Sequence, residues 1–292
     1  MVEKVFHMYT TLISVAQLQA LQNGSTPQLV FDCTCDLMQP ASGQQQYLDQ
    51  HISGALFADL NQHLTTHDHA LSVNKGRHPL PRREVFAQWL TSVGMTNDTQ
   101  VVVYDRNGMN YCGRLWWMLK WCGHDAVAVL DGGLQAWVSE GGATASGAEV
   151  TAAQGNFALK EPLMRLVDTQ TVAAQLNQDH QTLIDARATP RYRGEVEPLD
   201  PVAGHIPGAL NRPFNTNLNA HGFFKSAEQL REEFQALLGS RDASTVVHHC
   251  GSGVSAVPNV LAMEVAGLGR TGLYAGSWSE WSNTPGLPCE KS

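Results

Sequence analysis

The amino-acid sequence predicts an α/β protein of two tandem units, each a parallel sheet flanked by helices, and three observations predict it. Four short blocks occur twice in the same order. Short β-branched runs alternate with helix-length amphipathic stretches in both halves. Between the halves lies a stretch rich in Gly, Ala, Ser and Thr with almost no apolar periodicity.

The repeated blocks come first, because self-similarity fixes the frame for everything else. "LVFDC", holding Asp32, pairs with "LIDAR", holding Asp185. "HISGAL" (His51–Leu56) returns as "HIPGAL" (His205–Leu210), "VVVYD" (Val101–Asp105) as "VVHHC" (Val246–Cys250), and "LDGGLQAW" (Leu130–Trp137) as "YAGSWSEW" (Tyr274–Trp281). The offset falls only from 153 (Asp32 to Asp185) to 144 (Leu130 to Tyr274), so one unit has been duplicated. The stretch Ser139–Pro162 reads as a connection. The expected division is therefore 1–140, a linker over 141–163, and 164–292.

In the first half, strands are expected at Leu29–Phe31, Val101–Tyr104 and Val127–Leu130, and helices at Val15–Leu21, Arg83–Val93 and Gly113–Cys122. In the second half, strands are expected at Leu183–Ile184, Val246–His248 and Gly272–Tyr274, and helices at Ala227–Leu238 and Val257–Ala266. Gly94 and Gly239 stand where helices end. In open α/β sheets ligands bind beyond the carboxyl ends of strands. Cys250 lies at such an end, and so does its counterpart Asp105.

Composition bounds the function. The 292 residues are 43% hydrophobic and 16% charged, which is ample for a globular core. A formal charge of −8, with scattered Lys and Arg, argues against a nucleic-acid surface. No run of eighteen apolar residues exists to span a membrane, and the opening stretch carries no leader pattern. Six cysteines are too sparse for a disulfide scaffold. A reduced, cytoplasmic setting is expected.

The stretch "CGSGVSA" (Cys250–Ala256) points to chemistry. A cysteine acts as a nucleophile as thiolate. Gly251, Ser252, Gly253, Val254 and Ser255 leave backbone N–H groups bare and permit a tight curl. The helix that follows adds its free amides, with Pro258 acceptable in its first turn. Such a cradle stabilises a thiolate and, equally, an anionic persulfide. The alternative is a buried cysteine before a glycine turn. The duplication weighs against it, since one copy carries Cys at the strand exit and the other Asp.

On "HISGAL", "HIPGAL", "DARATPRYRGEVEP" (Asp185–Pro198), "CGSGVSA" and "YAGSWSEW", the whole chain resembles the tandem-domain rhodanese family of 3-mercaptopyruvate/thiosulfate sulfurtransferases. The resemblance implies two tandem rhodanese-like domains, inactive then catalytic. It implies that Cys250 takes sulfane sulfur as a persulfide and passes it to a nucleophilic acceptor. No metal or organic cofactor is implied. Thiosulfate enzymes of the family carry Arg and Lys after the cysteine, whereas the neutral Gly251 and Ser252 here resemble the mercaptopyruvate type. A thiol, cyanide or reduced thioredoxin is the implied acceptor.

Arg191 matches the family's substrate-binding arginine, suited to a donor carboxylate. A second arginine is expected in the next loop, where this chain has Leu199–Asp200; Arg193 is the candidate to compensate. Asn61, His78 and Ser252 match the family's proton relay, which would protonate the departing enolate. Asn61 cannot ionise, and Asp59 stands two residues before it.

Other signals carry less. His63, His67 and His69 have a spacing that could hold a metal but lack partners of the right type nearby. His248 and His249 point to opposite faces of a strand and read as packing groups. Trp278 and Trp281 are the tryptophans most expected outside the core, and Arg187 reads as a structural partner of Asp185. A Cys-x5-Arg phosphatase is excluded by Ala256. Two readings stay beside mercaptopyruvate transfer: a thiosulfate sulfurtransferase, and a non-catalytic persulfide carrier or binding module.

Overall fold

The computed structural model describes residues 8–150 and 154–292. Residues 1–7 of the opening stretch and 151–153 of the expected linker lie outside the described residues. The chain forms two compact units. The first holds the residues through Leu60 together with Arg83–Leu163, and the second holds Asn61–Arg82 together with Met164–Ser292.

Both units contain a five-stranded, all-parallel sheet with the same strand order. In the first unit, Leu12–Ile13 lies beside Val127–Leu130, then Gln100–Tyr104, Gln28–Asp32 and Leu56–Phe57. In the second, Arg165–Val167 lies beside Gly272–Tyr274, then Val246–His249, Thr182–Asp185 and Leu210–Asn211. The middle strands Gln100–Tyr104 and Val246–His249 are buried along their whole length. That is why Val101–Tyr104 and Val246–Val247 are continuous β-branched or apolar runs rather than alternating ones, and why the two histidines that follow are buried as well.

Each predicted strand and helix lies within a residue or two of its expected bounds, and Ala227–Leu238 matches without change. That helix starts on a capping box in which Ser226 accepts from the Gln229 amide and Gln229 reaches back to Ser226. Leu230, Phe234 and Leu238 recur on one buried stripe, which fixes its packed face. Gly94, just past helix Arg83–Ser92, has φ +86, as an αL helix end requires.

The repeated histidines explain themselves locally. His51 Nδ1 lies 2.8 Å from the Tyr47 carbonyl oxygen, the two rings stack at 4.2 Å, and Tyr47 donates its hydroxyl to Ala55 O. In the second unit His205 Nδ1 lies 2.8 Å from Tyr192 O, the rings stack at 3.9 Å, and Tyr192 donates to Ala209 O. The HI-x-GAL blocks are thus clips that close the chain onto the sheet edge.

The two compact units also take in two stretches outside the repeated blocks. Residues 141–150 and 154–163 belong to the first unit, because their backbone is tied to its loops. Thr144–Ala145 pairs antiparallel with His51–Ile52, Gly155 N–H donates to Thr91 O, and Lys160 N–H to Cys122 O. Their polar composition hides a backbone that is hydrogen-bonded at intervals. Asn61–Arg82, placed by sequence inside the first half, belongs to the second unit. Arg77 N–H donates to Ser279 Oγ, and Lys75 N–H to Glu280 Oε2.

Candidate active site

Cys250 follows directly on strand Val246–His249 and is 2% exposed. Its N–H donates to Ser277 Oγ, which donates in turn to Tyr274 O. Ser277 holds a left-handed φ of +54, unusual for a side chain larger than glycine, and these two bonds fix it there. The carbonyls of Cys250 and Gly251 accept from Trp278 and Ser279 N–H. The loop then curls through Gly253 at φ +75 and enters helix Val257–Val265, with Pro258 in its first turn. A Cβ at Gly253 would stand 2.3 Å from Ala275 O, so only glycine fits.

The first unit displays what such a loop binds. Asp105 follows strand Gln100–Tyr104 as Cys250 follows its own, and Gly108, like Gly253, has a left-handed φ. The buried Asp105 carboxylate accepts from the N–H groups of Asn107, Met109, Tyr111 and Cys112 at 2.8–2.9 Å. An offset of 145 (250 − 105) carries these donors onto Ser252, Val254, Ala256 and Val257. Among the described residues, the amides of Ser252, Val254 and Ala256 donate to no protein acceptor, whereas Val257 N–H donates to Val254 O. The same concave array of amides is filled by a carboxylate in one unit and left open around the cysteine in the other.

Beside the loop, His78 Nδ1 lies 2.7 Å from Ser252 Oγ, both side chains buried. Arg191, in the short helix Thr189–Arg193, forks onto Glu197 with Nη2 at 2.6 Å and Nε at 3.3 Å. Its Nη1 and the Arg77 Nη2 lie where a side chain at residue 251 would stand, 3.4 and 3.1 Å from that Cβ position. Gly251 therefore leaves room for two guanidinium ends next to the cysteine. Arg77 Nη1 pairs with Asp200 Oδ1 at 2.7 Å.

Under the site runs a buried charge pair. Arg187 forks onto Asp185, donates to Gly204 O, and rests 4.8 Å from the Trp278 ring centroid. Burial alone would raise the Asp185 carboxyl, but the fixed Arg187 charge outweighs it and holds that carboxyl below its ordinary range. Burial pushes His249 down to about 4 and His248 down to about 3, so both are neutral packing groups near pH 7.

The structure brings Cys250, Gly251, Ser252, Gly253, Val254, Ser255, His78 and Arg191 into one unit. Arg193 does not compensate for the missing arginine; it is exposed, 3.8 Å from Glu195. Trp278 and Trp281 are fully buried members of the core, not exceptions to it. His63, His67 and His69 belong to no metal-holding group of three among the described residues. Sequence reasoning missed Arg77, Glu197 and Ser277. Arg77 was findable only as the residue before His78; its partners lie more than a hundred residues away.

Comparison with known proteins places this geometry. The rhodanese-like domain model matches residues 14–140 and again 168–284. A Pseudomonas aeruginosa protein named "Probable 3-mercaptopyruvate sulfurtransferase" is 44% identical over 285 residues, covering 96% of this chain and 98% of its own. A Cricetulus griseus thiosulfate sulfurtransferase is 34% identical, covering 94% and 92%. Among solved structures, a 3-mercaptopyruvate sulfotransferase from Escherichia coli superposes with a TM-score of 0.76 at 30% identity, over 93% of this chain and 100% of that one. With one domain match on each half and relatives spanning nearly its full length, the chain belongs to the rhodanese family.

Proposed function

We propose that Cys250 is the sulfur-carrying nucleophile of this chain, a sulfurtransferase acting between a small-molecule donor and a small-molecule acceptor, and that 3-mercaptopyruvate is its donor. The observation that carries the reading is the open amide array beside Cys250 whose twin holds the Asp105 carboxylate. A persulfide is Cβ–S–S⁻, so its charged atom lies two bonds beyond Cβ, as the carboxylate oxygens of an aspartate do. An array that satisfies four acceptor bonds for Asp105 suits a persulfide anion in the same place.

In the first half-reaction the Cys250 thiolate attacks the donor sulfur. An S–S bond forms, the donor C–S bond breaks, and its electron pair leaves as the enolate of pyruvate. That carbon takes a proton to give pyruvate; Ser252, hydrogen-bonded to His78, offers the path for it. Arg191 holds the donor carboxylate with the Nη1 that faces Gly251. In the second half-reaction cyanide or a thiol attacks the outer sulfur and Cys250 departs as thiolate. We place this exchange in the cytoplasm, with reduced thioredoxin as the protein acceptor to test.

Donor preference follows from the loop. Gly251 and Ser252 bring no cation of their own, and the cations come from side chains reaching over Gly251, a layout suited to a carboxylate rather than to a compact dianion. Side-by-side kcat/KM for 3-mercaptopyruvate and thiosulfate, with cyanide and with a dithiol, tests it. A clear preference for mercaptopyruvate is expected; a preference for thiosulfate sinks the donor assignment, and a single equivalent of sulfur released with either means a carrier.

A further inference from the structure

The residues "NKGRHPL", Asn74–Leu80, form a small closed loop. Val73 N–H donates to Leu80 O, and Leu80 N–H donates to Asn74 Oδ1. His78 rides on this loop, and the tip of the loop is laid on the helix Ser277–Trp281. Lys75 N–H donates to Glu280 Oε2 at 2.9 Å, and Arg77 N–H to Ser279 Oγ at 3.0 Å. Gly76, at φ +96 between them, comes so near that a Cβ there would stand 2.7 Å from Ser279 Oγ. A larger residue would lift the tip away.

Ser279, only 4% exposed, also faces the cysteine loop. Its N–H donates to Gly251 O at 2.8 Å, while its hydroxyl accepts from Arg77. Gly251 precedes Ser252, and Arg77 precedes His78. The 2.7 Å contact between Ser252 and His78 therefore closes a ring through residues 77, 78, 252, 251 and 279. In that ring the residue opposite the contact sets its length, and that residue is Ser279. Glu280 is braced from behind. Its Oε1 accepts from the Thr169 hydroxyl at 2.6 Å, and that hydroxyl meets the Tyr274 hydroxyl at 2.8 Å.

The duplicated unit lacks both groups. Aligning "YAGSWSEW" with "LDGGLQAW" puts Gln135 and Ala136 at the places of Ser279 and Glu280. Gln135 spends its amide on Arg106 O, and Ala136 has no polar side-chain atom to offer. The pair is a property of the unit that carries Cys250.

We propose that Ser279 and Glu280 are positioning residues that seat the 74–80 loop and so hold His78 at hydrogen-bonding distance from Ser252. Their effect on the reaction passes through His78 and rests on the proton path read above. A shift of about 1 Å at a reacting group is enough to cost rate, and proton transfer demands hydrogen-bond reach.

Hydrogen exchange at the Lys75 and Arg77 amides of the full chain, followed by NMR and so independent of turnover, tests the seating. The kcat for mercaptopyruvate and the persulfide loading from thiosulfate are measured alongside. Glu280→Ala is expected to speed exchange at Lys75, and Ser279→Ala at Arg77, each about tenfold, because each amide loses its acceptor. Both variants should lower kcat for mercaptopyruvate about tenfold and change loading from thiosulfate by less than about twofold, since Ser279 N–H still holds Gly251. Glu280→Gln, which keeps an oxygen for Lys75 and an N–H for Thr169, guards against a folding defect and should restore kcat to within about twofold of wild type. In a His78→Ala background either alanine should add less than about twofold, as a residue acting through His78 must. Unchanged exchange at both amides, equal losses with both donors, or a further tenfold loss in the His78→Ala chain overturns the proposal. Faster exchange in the variants, with His78→Ala itself turning over at the wild-type rate, would uphold the seating and overturn the proton-path reading instead.

Discussion

Asp105 and Cys250 stand at the same point of equivalent strands, and of the four amides that close on the Asp105 carboxylate, three have counterparts around Cys250 that donate to no protein acceptor. One unit thus holds a permanent anion where the other is arranged to receive a transient one. The Asp105 carboxylate carries its own cost: burial raises its pKa, partly offset by the amides of Cys112, Asn107 and Tyr111.

Removing that anion should unsettle the first unit. Asp105→Ala leaves three buried N–H groups, and a fourth partly buried one at Asn107, without an acceptor, and the loss is expected at roughly 2–4 kcal/mol. Denaturant unfolding measures it. A change under about 0.5 kcal/mol would mean the array is not a binding device and would weaken its reading around Cys250.

Cys250→Ser should abolish turnover with every donor, because an alkoxide-forming hydroxyl cannot hold sulfane sulfur at neutral pH. Melting temperature and circular dichroism should stay near wild type, since the two side chains are close in volume. Substantial remaining turnover would move the sulfur to another cysteine, and mass spectrometry of the loaded protein would find it.

Gly253→Ala tests the loop itself. The new methyl meets Ala275 O at 2.3 Å in a left-handed conformation, so a cost of about 2–4 kcal/mol is expected. Persulfide loading, followed by cyanolysis, should fall with it. Wild-type stability and loading would show that the loop tolerates another path.

The Ser252–His78 bond predicts a split between donors. Ser252→Ala and His78→Ala should each cut kcat for mercaptopyruvate by about 10²-fold, in the range of positioned proton transfer. They should spare loading from thiosulfate, whose leaving sulfite needs no proton on carbon. Equal losses with both donors would make the pair a structural prop.

Acid should destabilise the second unit earlier than the ordinary carboxylate range. Unfolded, His248 and His249 take up protons near pH 6.5; folded, they resist until about 3 and 4. The unfolded chain therefore binds more protons between those values. Their contribution is complete above pH 6.5 and is lost as pH falls through that window. At pH 5 the loss is about 2 kcal/mol per histidine, several degrees of melting temperature. Calorimetric scans from pH 7.5 to 4.5 check it, and a flat profile down to pH 5 contradicts it.

Much of this fold was legible because its signals are local. Val101–Tyr104 and Val246–His248 announce buried strands by composition, and the HI-x-GAL blocks fix the duplication by identity. Edge strands of two residues, Leu56–Phe57 and Leu210–Asn211, fall below any periodicity. The helix Pro40–Asp49, with three consecutive glutamines and a single buried tyrosine, shows no apolar stripe to read. The sulfur-binding loop could be read from seven adjacent residues. The pairing of Arg77 and Arg191 with Asp200 could not, since the three become partners only through the tertiary path of the chain.

That path has a consequence for how the protein can be made. The second unit is discontinuous: residues 61–82 leave the ribosome well before Met164, the first residue of the main body they join. A fragment cut at the duplication boundary would carry Cys250 and its loop but neither Arg77 nor His78. In synthesis, that early segment cannot reach its partners until helix Ser277–Trp281, with the Ser279 hydroxyl and Glu280, has emerged to receive it. The gene duplication is a tandem, but the working half is assembled from both copies and closes only when the chain is nearly finished.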